Sequence, residues 1–168
     1  MITKQQQADV LPSIAASSVA TEQATGCPAI LSMGQCIAES YWLTRAPGNN
    51  PFGIKYNPKR HSASITVSTH EYINGKYTPE VLIFAAFPSL QAAFEEHADL
   101  ITHASPYAEA WADYLVHKDP EQLLRGIAPH YAPGNLHYAD SVLAIMRQSN
   151  VVAAMVVARQ AHPVVDHA

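Results

Sequence analysis

The sequence predicts an α+β domain, mainly helical, with one small β-hairpin. Helical start signals recur along the chain, whereas between Ser62 and Phe87 alone the apolar spacing switches from a helical period to strict alternation. With 168 residues, 48% of them hydrophobic, the chain is long enough to bury a sizeable core, and it shows no internal repeat or low-complexity linker. One domain over residues 1–168 is therefore expected, with residues 1–5 unstructured.

The elements follow in order. Val10, Leu11, Ile14 and Val19 give residues 6–24 a modest helical stripe. Pro12 fits only if it lies in the first turn, and Gly26 ends the helix. Cys27-Pro28 opens a second helix, because proline is preorganised for the first helical position. There Ile30, Leu31, Gly34, Ile37, Ala38 and Tyr41 share the side expected to face the core. Glu39 points away from them, level with Ser32 and Gln35. The loop "RAPGNNPFGIK" is rich in turn residues, yet Phe52 and Ile54 are apolar anchors that would fold it back over the helix end.

"SASITVSTHEY" and "EVLIFAAF" read as two strands, joined across "INGKYTP" with its Asn74-Gly75 turn signal. Three capped helices come next: after Ser89, after Ser105-Pro106, and after Asp119-Pro120 with Gln122 at the third position. A last helix starts near Tyr138 and is expected to run on through the apolar tail after Asn150.

Several classes are excluded. A net charge of −4, from ten basic and fourteen acidic residues, supplies no basic stripe for phosphate backbones, so no nucleic acid is expected as partner. "VVAAMVVA" is too short for a membrane span, and "MITKQQQADVLP" lacks the apolar region of a signal peptide. Cys27 and Cys36, about 13 Å apart if helical, are too distant for a disulfide and read as reduced, buried thiols. Nothing at helical spacing from Cys36 would serve as its base. There is no HExxH and no finger spacing, and His70-Glu71 and Glu95-Glu96-His97-Asp99 spread their groups over different faces, so no metal is expected. No G-x-S-x-G elbow or Gly-rich phosphate loop is present.

What remains is a pair of carboxylates on different elements, Glu39 at a helix end and Glu71 in the hairpin. Such a pair suits glycoside hydrolysis, in which one acid protonates the leaving oxygen and a second group activates water or steadies the oxocarbenium ion. Spacing alone also allows a solvated Glu39 and an exposed cross-strand Glu71.

"AILSMGQCIAESYW" followed by "APGNNPFGIK" resembles the glucosaminidase domain of glycoside hydrolase family 73, with its "AQAALESGWG" helix and "NNLFGIK" loop. "STHEYINGKY" is similar to the family's "TTEYENG", "FPSLQAAFEEHADLI" to "YPSLEESFADHADLL", and "HYAPGNLHYADSVLAIM" to "YATDPNYADKLL". The matches run in family order from about Pro28 to Met146. They imply a lysozyme-like fold, a helical lobe and a hairpin lobe with a groove between them.

By that resemblance Glu39 is the general acid and Glu71 a base or stabiliser, Tyr131 lines the cleft, and Asn49, Asn50 and Phe52 shape its floor. Trp42 is either a sugar-stacking residue or a core aromatic. Two departures stand out. Tyr41-Trp42-Leu43 replaces Gly-Trp-Gly, so a narrower cleft or a different helix end is expected; and the stretch from Tyr131 to Tyr138 is one residue longer and lacks the family's Asp.

The implied activity is that of an endo-β-N-acetylglucosaminidase cutting the β-1,4 bond after GlcNAc in peptidoglycan, without metal or cofactor. A lytic transglycosylase and a non-catalytic glycan-binding or flagellar assembly module are the alternatives. The chain also looks like the small effectors of bacterial type VI secretion. That likeness implies synthesis in the cytoplasm without a signal peptide, action in a target cell's periplasm, and a cognate immunity protein over the cleft.

Overall fold

The computed structural model describes residues 2–73 and 76–163, the side chains of residues 69–77 lying outside that description. Helix α1 (Lys4–Thr25) starts earlier than its stripe suggested, because Thr3 and Gln6 close a reciprocal capping box. Thr3, Lys4 and Gln5 are thus part of a formed helix start, which corrects the unstructured terminus expected there. Pro12 lies inside α1 and not in its first turn. Its cost of about 3 kcal/mol is offset by burial of Leu11, Ile14 and Val19, each contributing roughly 1.5–3 kcal/mol. Gly26, at φ 78°, ends the helix in the left-handed conformation and donates to the Glu22 carbonyl.

Helix α2 (Ala29–Ser40) follows Pro28, which serves as its N-cap, and it is the central element. Its predicted one-sided core face is corrected. Leu31 packs into one hydrophobic cluster, and Met33, Cys36 and Ile37 pack into another on the opposite side. Ser32 and Gln35, expected in solvent, are fully buried, whereas Tyr41 just beyond the helix is exposed. Both thiols are free and buried, and desolvation pushes Cys27 up to about 12 and Cys36 higher still.

Strands β1 (Ser64–Ile73) and β2 (Lys76–Ala85) pair antiparallel from Ser64↔Ala85 to Ile73↔Lys76. The Asn74-Gly75 turn lies outside the described residues. β2 begins before Pro79 and not after it, which a two-stranded ladder with both strands at an edge permits. The preceding loop docks on the open end of this hairpin. Ala85 N donates to Ile54 O at 2.9 Å, Tyr56 N to Ile83 O at 3.0 Å and Phe87 N to Gly48 O at 2.8 Å. Asn50, only 3% exposed, is the pin: Nδ2 donates to Ile54 O and Ala85 O, and Oδ1 accepts from Ile54 N.

Helices α3 (Leu90–His103), α4 (Ala108–His117) and α5 (Pro120–Tyr131) complete the lobe. Ser89 caps α3 and Asp119 caps α5, as their sequences predict, while a short 3₁₀ turn over Ser105–Tyr107 leads into α4. The single last helix expected from Tyr138 is two, α6 (Tyr138–Met146) and α7 (Ser149–Ala161), bent by 61° so that α7 lies back along α1. Among the described residues no single helix is long and apolar enough to cross a membrane.

Where α2 crosses α6, a Cβ on Gly34 would lie 2.6 Å from Met146 Cγ and 3.0 Å from Val142 Cγ1. Gly34→Val should therefore destabilise the fold by about 1–3 kcal/mol, read as a lower urea midpoint at constant m-value. Asn50→Ala leaves the Ile54 amide and two carbonyls without their partner, and roughly 2–3 kcal/mol should be lost in the same titration.

Candidate active site

The site is built where α2 stops. Tyr41, Trp42 and Leu43 follow with φ of 48°, 61° and 62°, three consecutive left-handed residues without a glycine among them. Each costs about 1–2 kcal/mol, and local hydrogen bonds hold them. The Tyr41 and Trp42 amides both reach Ile37 O, Leu43 N donates to Ser40 Oγ at 2.9 Å, and Arg45 N to Ser40 O at 2.9 Å. The chain so reverses over the helix end, with Glu39 on the outer side of the last turn. The sequence departure from Gly-Trp-Gly is thus absorbed as backbone strain, and the helix still ends in a left-handed turn.

Glu39 stands at the wall of a groove of about 340 Å³ between the helical lobe and the hairpin. Val67, Leu82 and Phe84 form the apolar hairpin side, and Arg45, Asn50 and Pro51 of the loop form another. Among the described residues lining the groove, Glu39 is the sole carboxylate. Solvent reaches it through the mouth, but protein surrounds it on its other sides. That partial desolvation raises its pKa above the ordinary carboxylate value, while the neighbouring Tyr138 hydroxyl works in the opposite sense.

Behind Glu39 lies a stack of rings. Tyr131 and Tyr138 stack with centroids 5.6 Å apart, and Tyr131 meets the edge of His97 at 6.0 Å. Burial pushes the phenol of Tyr131 well up, and the nearby Glu39 carboxylate adds to this. Tyr138 is pushed up likewise, so both remain protonated donors.

The structure brings Glu39, Asn50 and Tyr131 to one region and sends other predicted residues elsewhere. Trp42 is 7% exposed and packed in the core, so it is the core aromatic and not a sugar-stacking residue. Phe52, 5% exposed, lies under the groove: it stacks on His97 at 4.1 Å and meets Phe94 edge-on at 5.0 Å. Asn49 is exposed, and its Nδ2 donates to Phe87 O at 2.9 Å, tying the loop to the end of the hairpin. Glu71 sits on β1 opposite Thr78, and its side chain lies outside the described residues.

Four residues escaped the sequence reading: Arg45 in the groove, and Gln35, His97 and Tyr138 behind the acid. Gln35 had a signal, since it precedes Glu39 by one helical turn on the same face. Of the acidic cluster around His97, only His97 turns inward; Glu96 and Asp99 pair with Arg60 outside.

Residues 4–151 match the sequence model of the glucosaminidase family, described as mannosyl-glycoprotein endo-beta-N-acetylglucosaminidase. The chain is 32% identical over 153 residues to a probable N-acetylmuramidase of Lactococcus lactis subsp. cremoris, covering 84% of this chain and 33% of that protein. It is 36% identical over 101 residues to an autolysin of Enterococcus faecalis, covering 53% and 13%. It therefore spans about a third or less of the length of these relatives. The catalytic domain of the autolysin Auto from Listeria monocytogenes superposes with a TM-score of 0.73 at 25% identity, over 92% of this chain and 90% of that one. A peptidoglycan hydrolase mutant from Sphingomonas sp. A1 shares the fold at 24% identity, with a TM-score of 0.68 over 91% and 99%. With the lysozyme-like architecture and a match over most of its length, the chain belongs to the glucosaminidase family.

Proposed function

We propose that this chain is a peptidoglycan hydrolase, an endo-β-N-acetylglucosaminidase that cleaves the β-1,4 bond after GlcNAc, with Glu39 as general acid. The observation that carries the reading is a carboxyl group on a groove wall, at a helix end, whose surroundings favour its protonated form. Family membership supports the reaction class, and the relatives named as autolysins and as a peptidoglycan hydrolase support the substrate. The relatives' names divide between glucosaminidase and muramidase, so the bond cut is part of the proposal.

Glu39 would protonate the glycosidic oxygen as its bond to the anomeric carbon breaks, and the positive charge would spread into an oxocarbenium-like state. Either Glu71 activates the water or the substrate's own acetamido group assists. Because Glu39 is the sole described carboxylate in the groove, a lytic transglycosylase reaction with one glutamate is the second reading. Mass analysis of digested sacculi separates the two: a new reducing end supports hydrolysis, and an anhydro product lighter by one water supports the alternative.

Delivery as an interbacterial effector is a further part of this proposal. Its support is the groove rim, where exposed Tyr41 carries Arg45 over its ring at 5.5 Å, residue types that anchor protein partners. An immunity protein seated there would bury about 1,200–2,000 Å². Co-expression with the neighbouring open reading frame should yield a complex that no longer digests sacculi, and a Tyr41→Ala, Arg45→Ala double variant should weaken it. Failure of any neighbour to bind would remove the effector reading.

Glu39→Gln should keep the fold by circular dichroism and lose about 10²–10⁴-fold in turnover on purified sacculi. Near-normal activity would reject the acid. Stability gives a second readout. A group whose folded pKa is raised costs stability as pH rises above its unfolded value, so Glu39→Gln should melt higher than wild type at neutral pH. The gap should close below the unfolded carboxylate pKa, where both states are protonated. Wild-type activity should fall as pH rises through the raised pKa of Glu39.

A further inference from the structure

Behind the groove runs a chain of buried polar side chains that packing does not require. His97 is fully buried, and its Nε2 lies 3.0 Å from Gln35 Oε1. Gln35, also fully buried, donates from Nε2 to the Tyr138 hydroxyl oxygen at 2.9 Å. The Tyr138 hydroxyl is thereby placed beside Glu39, which follows Gln35 by one turn on the same face of α2, and it works to lower the Glu39 pKa. Four residues from α2, α3 and α6 thus form one continuous path from the core to the groove.

The path has a direction. Gln35 Oε1 only accepts, so the His97 proton must sit on Nε2; Nδ1 is then a lone pair, facing the Ser32 hydroxyl at 3.5 Å. Burial pushes the imidazole down to about 3, which keeps it neutral with one donor and one acceptor. Phe52 stacked on one face and Tyr131 at its edge fix the ring. With its oxygen engaged, Gln35 must present its amide N–H to Tyr138. Tyr138 Oη is then an acceptor from Gln35, and its own proton is left for Glu39.

We infer that His97 and Gln35 orient the Tyr138 hydroxyl as a hydrogen-bond donor to Glu39, and that these three positioning residues fix the rotamer of the acid and the pH at which it gives up its proton. The inference rests on Glu39 being the acid. It goes beyond it in assigning a task to a tyrosine, a glutamine and a histidine, none of which lines the groove. A donor to the carboxylate form lowers the pKa that desolvation raises, and the balance sets the working range. The other groups around Glu39 are Tyr131 of α5, Arg45 of the loop and, on the hairpin, Glu71, whose side chain lies outside the described residues. None of them is changed by the substitutions below.

The test reads Glu39 directly. Glutamate labelled with ¹³C at the carboxyl is titrated by NMR in the whole chain, Glu39→Gln identifies the resonance, and a pH–rate profile on solubilised glycan is recorded alongside. Tyr138→Phe deletes only the hydroxyl and should move the Glu39 titration upward, taking the basic limb of the profile with it. Gln35→Met removes the amide that holds the Tyr138 hydroxyl without adding a charge, and should move both the same way. A difluorotyrosine at position 138, a stronger donor of nearly equal size, should move both downward, and it serves if either substitution fails to fold.

An unmoved Glu39 resonance, or one moving against these signs, overturns the inference. A resonance that moves while the basic limb stays put leaves the positioning intact and rejects Glu39 as the acid. The two failures are thereby distinguished.

Discussion

The structure depends on one constraint: from Leu31 to Ile37 α2 is buried on every side while carrying polar residues. A helix in the middle of a core normally presents apolar side chains all round, because each buried polar atom without a partner costs about 1–3 kcal/mol. Here Ser32, Gln35 and Ser40 are inside, and among the described residues no buried side-chain polar atom lacks a hydrogen bond. Ser40 turns back to Cys36 O, Ser32 faces His97, and Gln35 spans from His97 on α3 to Tyr138 on α6. Satisfying α2 thus dictates where the helices around it place their own polar residues, and the line of satisfied groups ends at Glu39.

The same helix decides the groove. Its last turn is closed by three left-handed residues whose strain is held by bonds back to Ile37 and Ser40, and by burial of the Trp42 ring. That reversal sends the loop across to the hairpin, where Asn50 fixes it against Ile54 and Ala85. Strain on one side of the acid and a buried asparagine on the other have one joint result, a fixed distance between the helix end and the β-sheet. A groove wall that must hold a sugar against a proton donor needs that rigidity.

The electrostatics follow from position more than from charge. No ion pair is needed to raise Glu39, since partial desolvation raises it and Tyr138 tempers the effect. The clustered charges lie elsewhere, Arg60 with Glu96 and Asp99, and Arg147 with Glu121, all on the surface, where such pairs contribute little.

The sequence by itself determined the element order, the hairpin, the caps at Ser89 and Asp119, and a glutamate at a helix end beside a turn-rich loop. These are local matters: periodicity, capping chemistry and turn residues act within a few positions. It misplaced Ser32 and Gln35 in solvent and left Trp42 undecided between sugar and core, because a stripe says which side of a helix is more apolar and not how many neighbours will cover it. The bend between α6 and α7 was hidden for a related reason, an apolar pattern running through the break at Arg147 and Gln148. Only the tertiary structure decided that Gln35, His97 and Tyr138, separated by 62 and 103 positions from Gln35, meet behind Glu39. Hydrogen-bond partners so far apart are chosen by helix packing, and no local pattern in the chain encodes them.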